Sequence, residues 1–285
     1  MSGALAPDTL APWLARWNLD FESAPAPPGG REPYPGTGEV AFVRRGEQPL
    51  VLKLLPAGSD EWRSGEVLAH WGGRGAVQLQ EQAPGAVLIE RAMPGDDLSP
   101  LIDAGRDDEA TAILCEVMAK LKRPAPDASF RTVADWGRGF ARNRATATEA
   151  GMDGALIDRA AQLFHHLCET QAPPILLHGD LQHFNVVHDA RRGWLAIDPK
   201  GILGEPAYET GAMLRNPMTR PEFCADPAVI ERRARLICEQ LGYAYERVIG
   251  WCFSQWVLSV LWAIEDHLPF APSWLDGPLA AQALL

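Results

Sequence analysis

HGDLQHFN, residues 178–185, sits between two apolar stretches: ILL precedes it and VV follows. An ordinary turn needs one or two polar residues. This one carries a carboxylate, an amide and further imidazole or amide groups, with Asp180 and Asn185 five positions apart. The flanking segments read as short strands, so the polar string is a tight loop feeding a strand. Thirteen positions after Asn185 comes Asp198, at the end of the next strand in WLAIDPKG. A hairpin turning at DARRG brings Asn185 and Asp198 together at its open end. One amide and one carboxylate converging there are hard oxygen ligands suited to Mg2+. Asp180 then remains nearby to accept a proton from a hydroxyl. A metal that neutralises phosphates and a base that orients a nucleophile are the parts that phosphoryl transfer needs.

The segment before this loop supplies complementary groups. EVAFVRR (39–45) and LVLKLL (50–55) alternate as two strands of a hairpin, and Lys53 lies inside the second. A lysine there needs a counter-charge or a ligand, because burying an ammonium alone is costly. SDEWRSGEVLAHW follows as a helix with Ser59 as its expected N-cap. Glu66 in that helix is the expected partner of Lys53, with Glu61 as its competitor. A strand lysine paired with a helix glutamate is how kinases hold the α- and β-phosphates. AVQLQEQ and AVLIERAM are two more strands, and an amphipathic helix is expected over residues 7–18, with Leu10, Trp13, Leu14 and Trp17 on one side.

The organisation is therefore two-part. Residues 1–92 form an antiparallel sheet with one helix; MPGDDLSP (93–100) is a hinge; residues 93–285 are mainly helical, with helices expected near 106–122, 131–150, 154–170, 206–216, 226–241 and 244–267. In the last of these, Trp251, Trp256, Val260 and Ile264 fall near helical spacing, as in a core helix.

The string HGDLQHFN resembles the HGDxxxxN catalytic loop of the aminoglycoside phosphotransferase family, and AIDPKG stands where kinases carry DFG. WLAIDPKGILGEPAYE, with ERAMPG and WGGRGAVQL before it, is similar to the streptomycin 6-kinase and hydroxyurea phosphotransferase branch. The resemblance covers about residues 34–268 and implies a two-lobed α+β protein-kinase-like fold that uses ATP and Mg2+. It makes Asp180 the catalytic base, Asn185 and Asp198 the metal ligands, and Lys53 with Glu66 the phosphate-holding pair. Gly36 and Gly38 of YPGTGEV would approach phosphate, and the backbone of Glu90, Arg91 and Ala92 would meet adenine. Glu205, Glu209, Glu265 and Asp266 become the candidates for contacting a cationic acceptor.

Bulk properties agree with a small-molecule enzyme. With 285 residues, 47% of them hydrophobic, the chain is long enough for a real core, and its formal net charge of −11 argues against nucleic acid, which needs a basic face. Five widely spaced cysteines without a CxxC, and no basic-then-apolar leader, predict a reduced, cytoplasmic protein, away from membranes and monomeric or weakly dimeric. His183 and His188 beside Asp180 lack partners at zinc-ligand spacing. Three functions follow: a kinase of an aminoglycoside such as streptomycin, a kinase of hydroxyurea or another metabolite, or an inactive nucleotide-binding pseudokinase. Intact Asp180, Asn185, Asp198 and Lys53 count against the last, and the lack of an APE counterpart after AIDPKG counts against a protein kinase.

Overall fold

The structure, a computed structural model, describes residues 7–25, 38–126 and 129–285. α1 (Pro7–Trp17) leads into β1 (Asp20–Ser23), β2 (Val40–Arg45), β3 (Gln48–Leu54), α2 (Ser64–Trp71), β4 (Leu79–Ala83) and β5 (Ala86–Glu90). The five strands form one antiparallel sheet in the order β1-β2-β3-β5-β4.

Strand alternation decides what this sheet presents. Leu50 and Leu52 of β3 face outward into a cluster with Leu10 and Trp17 of α1, while Val51 and Leu55 pack into the main core. Lys53 belongs to this second, inward set. α2 packs by Ser64, Val67, Leu68 and Trp71, all buried. It begins a full turn later than the sequence predicts, because residues 59–63 form successive turns and Ser59 caps no helix.

The predicted hinge is itself a strand. β6 (Pro94–Asp97) pairs with β8 (Val186–Asp189), which pairs with β9 (Gly193–Ala196). Between β6 and β8 run α3 (Ser99–Asp103), α4 (Asp107–Leu121), α5 (Val133–Glu149), α6 (Gly154–Glu169) and β7 (Ile175–Leu177). β10 (Ile202–Gly204) folds back on β7. The chain closes with α7 (Thr210–Arg215), α8 (Pro221–Cys224), α9 (Pro227–Leu241), α10 (Tyr245–Glu265) and α11 (Asp276–Ala283).

α10 is long and apolar enough to cross a membrane by composition, but 78% of its apolar window is buried inside the protein. Trp251, Trp256, Val260 and Ile264 are all buried, as a core helix requires. The main core runs across the boundary expected at residue 92: Val67, Trp71, Val87 and Ile89 share one apolar cluster with Leu195, Ala196 and Ile202. The two lobes are thus tied by packing, and also by Val77 N–H donating to Ala196 O at 3.0 Å.

One buried ion pair fixes the end of α7. Arg233, 1% exposed, donates to Asp107 Oδ1 at 2.6 Å and to the carbonyls of Leu214 (3.2 Å) and Asn216 (2.6 Å), the residues on either side of Arg215. Removing one partner of a buried pair strands the other charge, at about 3–5 kcal/mol. Arg233→Ala is expected to lower the unfolding free energy in urea by about this amount; a loss under about 1 kcal/mol would show that the clamp is dispensable.

Candidate active site

The loop after β7 is built around His178. Its buried ring donates from Nε2 to Ile197 O at 2.7 Å and accepts at Nδ1 from Asp180 N–H at 3.3 Å. Burial lowers its pKa to about 4, so the ring stays neutral and serves as a brace. The His178 carbonyl accepts from the backbones of Lys200 (2.8 Å) and Gly201 (3.2 Å), binding the DPKG turn to the loop. Gly179 has φ +86°, and a Cβ there would lie 3.0 Å from the Trp136 ring, so glycine is required twice over.

Asp180 emerges from this brace. Asn185 Nδ2 donates to Asp180 O at 2.7 Å and only distantly, at 3.4 Å, to its Oδ2. Arg215 Nη2 donates to Oδ1 at 3.2 Å. Burial pushes the Asp180 carboxyl up, but the Lys200 and Arg215 charges and the Asn185 amide outweigh it, and the group stays below its ordinary range. It is therefore an ionised carboxylate with Oδ2 the less engaged oxygen. The β8–β9 register sets Asn185 opposite Ile197, whose N–H donates to Asn185 O at 2.9 Å, and Asp198 follows directly. Asp198 has a left-handed backbone, φ +58°, which an aspartate tolerates.

Asp198 Oδ1 accepts from Lys53 Nζ at 2.8 Å, and Glu61 Oε2 makes a second ion pair with the same ammonium. Burial would lower the lysine's pKa; Asp198 and Glu61 reverse this and raise it. The expected Lys53–Glu66 pair is not formed. Because α2 starts at Ser64 and buries Val67, Leu68 and Trp71, Glu66 lies off the packed face and accepts instead from Arg63 Nε at 2.9 Å. Glu61, in the turns before the helix, reaches Lys53. The spacing of the apolar residues 67, 68 and 71 carries this signal, since it turns position 66 away from the sheet.

Of the glycine loop, Gly36 lies outside the described residues. Gly38 runs so close to β3 that a Cβ would sit 1.7 Å from Leu54 O. Glu90, Arg91 and Ala92 join the sheet to β6. Glu90 N–H donates to Gln78 O at 2.9 Å and its carboxylate pairs with Arg192, while Arg91 pairs with Glu22 at 2.8 Å and covers the Phe42 ring.

Glu205, Glu209 and Glu265, expected to contact an acceptor, are committed elsewhere. Glu205 is buried and accepts from Arg247 Nε at 2.6 Å and from the Trp251 indole. Glu209 is also buried, and its Oε1 accepts from Gly179 N–H at 3.0 Å, bracing the catalytic loop from beneath. Burial raises it to about 7, while backbone N–H groups and then Asp180 pull in opposite senses. Glu265 accepts from Arg142 (2.6 Å) and Asn143 (2.8 Å) of α5. Asp266 is exposed at the end of α10. The GEPAYE stretch after β10 turns into the core, and this removes Glu205 and Glu209 from any acceptor surface. The charges that act on Asp180 are Arg215, in an ion pair, and Lys200, while Trp136 lies beside Gly179, one residue earlier. The adjacency of Lys200 to Asp198 in AIDPKG was legible; Arg215 came from a helix with no motif.

Among the described residues no three His, Cys, Asp or Glu side chains cluster for a metal. The pair Asn185 and Asp198 suits Mg2+ nonetheless: both offer hard oxygens, Asn185 Oδ1 is directed away from Asp180, and this ion takes few protein ligands beside water and phosphate oxygens.

Residues 33–267 match the family model for aminoglycoside/hydroxyurea antibiotic resistance kinases. The chain belongs to this family. It is a small-molecule kinase, a phosphotransferase acting on hydroxyl groups. It is 33% identical to streptomycin 3''-kinase from Klebsiella pneumoniae, over 79% of this chain and 83% of that one. It is 32% identical to hydroxyurea phosphotransferase from Kitasatospora aureofaciens, over 91% and 74%. Among solved structures, choline kinase from Streptococcus pneumoniae aligns over 97% of both chains with a TM-score of 0.62 and 13% identity. The aminoglycoside phosphotransferase APH(4)-Ia, solved with ADP and hygromycin B, aligns over 95% of both with a TM-score of 0.61 and 14% identity. At these identities the structures establish the protein-kinase-like fold.

Two outcomes are expected of this kinase. Glu61→Gln removes a charge-assisted contact worth about 1.5–3 kcal/mol, so kcat/KM for the nucleotide should fall by about tenfold or more, whereas Glu66→Gln should stay within about twofold; steady-state kinetics with equal effects would refute the pairing. Glu209, raised from 4.5 to about 7, holds its proton more tightly folded than unfolded. Its contribution is present below the unfolded pKa and is lost as pH rises through about 7. Glu209→Gln keeps an oxygen for Gly179 N–H and should flatten the stability–pH curve over that window in urea titrations. An unchanged slope would mean that Glu209 is not the titrating group.

Proposed function

We propose that the protein transfers the γ-phosphoryl group of ATP to a hydroxyl of an aminoglycoside of the streptomycin kind. The observation that carries the ATP half is the convergence of Lys53, Asn185 and Asp198 beside the ionised Asp180. Lys53, held by Glu61 and Asp198, would grip the α- and β-phosphates, with the Gly36–Gly38 segment over them and the backbone of residues 90–92 against adenine. Asn185 and Asp198 would hold Mg2+, which neutralises phosphate charge when bound. Asp180 Oδ2, held only distantly by Asn185, is the oxygen that would take the hydroxyl proton, since Oδ1 is engaged by Arg215. The work is positioning and charge neutralisation rather than covalent catalysis.

The acceptor half rests on the relatives, two of the curated ones being streptomycin 6-kinases and one a streptomycin 3''-kinase. A second reading, hydroxyurea, has an observation of its own. Asp180 is paired with Arg215 and feels the Lys200 charge, while Glu205, Glu209 and Glu265 face other partners, a setting that suits a small neutral acceptor.

An acceptor panel of streptomycin, kanamycin, hydroxyurea and simple sugars, read by ADP release, separates the readings. Streptomycin-dependent turnover is expected, falling by about 10²-fold or more in Asp180→Asn, with nucleotide binding retained. Turnover with hydroxyurea alone transfers the assignment to the second reading. Wild-type rates in Asp180→Asn would end both.

A further inference from the structure

The cations around Asp180 are not equivalent. Lys53 is neutralised by Glu61 and Asp198, and Arg215 by Asp180. Lys200 has no such counter-ion: among the described residues no carboxylate forms an ion pair with its ammonium. It is half-buried, two positions after Asp198, on a turn whose backbone is bound to the His178 carbonyl at 2.8 Å. Its Cβ lies 3.3 Å from where a Cβ on Gly179 would stand, so the side chain starts beside the catalytic loop. Its charge helps to keep Asp180 ionised and also acts on Glu61. The side chain therefore springs from the turn that joins the proposed base's loop to Asp198, the partner of Lys53.

A structural explanation accounts for little of this. The hydrogen bond to His178 uses the Lys200 backbone, which any residue except proline supplies. The ammonium lies 5.9 Å from the Trp136 ring centroid, at the outer limit for a cation–π contact. A half-buried ammonium in no contact ion pair and with no close ring is placed to meet an anion that arrives with the substrate.

We infer that Lys200 is a further catalytic residue, one that binds the equatorial oxygens of the γ-phosphoryl group during its transfer. The inference rests on the proposed ATP-dependent reaction and deepens it. In the step, the acceptor oxygen forms its bond to the γ-phosphorus while the bond to the bridging oxygen of ADP breaks. The hydroxyl proton passes to Asp180 Oδ2, and the bridging electron pair leaves with ADP. Negative charge is spread over the three equatorial oxygens of the moving group throughout. Lys53 serves the part of the nucleotide that stays behind as ADP. Lys200 serves the part that moves, and so should matter more in the transition state than in the ground state.

This distinction gives the test. Lys200→Met and Lys200→Arg are compared with wild type for kcat, for ADP affinity, and for affinity toward ADP with aluminium fluoride, Mg2+ and acceptor, a planar mimic of the moving group. Loss of one preorganised cation should lower kcat by about 10²-fold. ADP affinity should change less than about threefold, the added affinity for the fluoride complex should disappear, and Lys200→Arg should recover at least about tenfold in kcat. The role is overturned if kcat of Lys200→Met stays within about threefold of wild type, or if ADP affinity falls as far as kcat does. Wild-type enzyme inactive with every acceptor would sink the proposed reaction itself, and the Lys200 role with it; wild-type turnover undiminished in Lys200→Met sinks only the lysine's role.

Discussion

The inward-facing ammonium of Lys53 is the constraint from which the site follows. An isolated buried cation is prohibitively costly, so the fold must deliver anions to it. One comes from the N-terminal lobe, Glu61, and one from the C-terminal lobe, Asp198. The same ion-pair network therefore neutralises the lysine and sets the relative position of the lobes. Asp198 reaches it because its backbone enters the left-handed region at the end of β9, which turns the carboxylate out of the strand direction. A strand residue continuing in extended conformation would not aim at β3 in this way.

Behind this pair, the loop of residues 178–185 is held almost entirely through backbone groups. His178 bonds Ile197 O and Asp180 N–H, Asn185 bonds Asp180 O, and Glu209 bonds Gly179 N–H. Polar side chains thus hold the main chain so that one carboxylate, Asp180, stays available. A neutral imidazole suits this role better than a charged one, since it offers one donor and one acceptor to two different partners. Satisfied polar networks of this sort rigidify a loop, and rigidity is what a reaction governed by positioning demands.

Much of this was legible in the sequence, for identifiable reasons. Period-two alternation in LVLKLL put Lys53 on the face opposite Leu50 and Leu52, and the hairpin around DARRG brought Asn185 beside Asp198. Failures arose where the reading relied on a helix boundary or on exposure. α2 begins at Ser64 rather than near Ser59, which exchanges Glu66 for Glu61. Glu205 and Glu209 carry the same charge as surface carboxylates, and only the three-dimensional return of GEPAYE beneath the loop shows them to be internal braces. β1 and α11 were missed because one is a short exposed edge strand and the other lies beyond the motif-bearing region. Arg215 had no local signature at all; its position depends on Arg233 gripping the carbonyls on both sides of it.

The charge distribution reconciles an acidic protein with an anionic cosubstrate. The net charge of −11 is a property of the whole chain, and exposed charges are screened over about 8–10 Å at physiological salt. Within the cleft the balance differs: Lys53, Lys200 and Arg215 stand against Glu61, Asp180 and Asp198, three positive groups and three negative. An arriving polyphosphate meets this balanced local set, and its own charge makes the cations decisive. A cationic acceptor, by contrast, would be drawn to the acidic surface only within that screening distance. Attraction at a distance and neutralisation at the point of transfer are separate requirements. Here the Arg215 guanidinium paired with Asp180, and the Lys200 charge that acts on the same carboxylate, would favour an anionic group in transit.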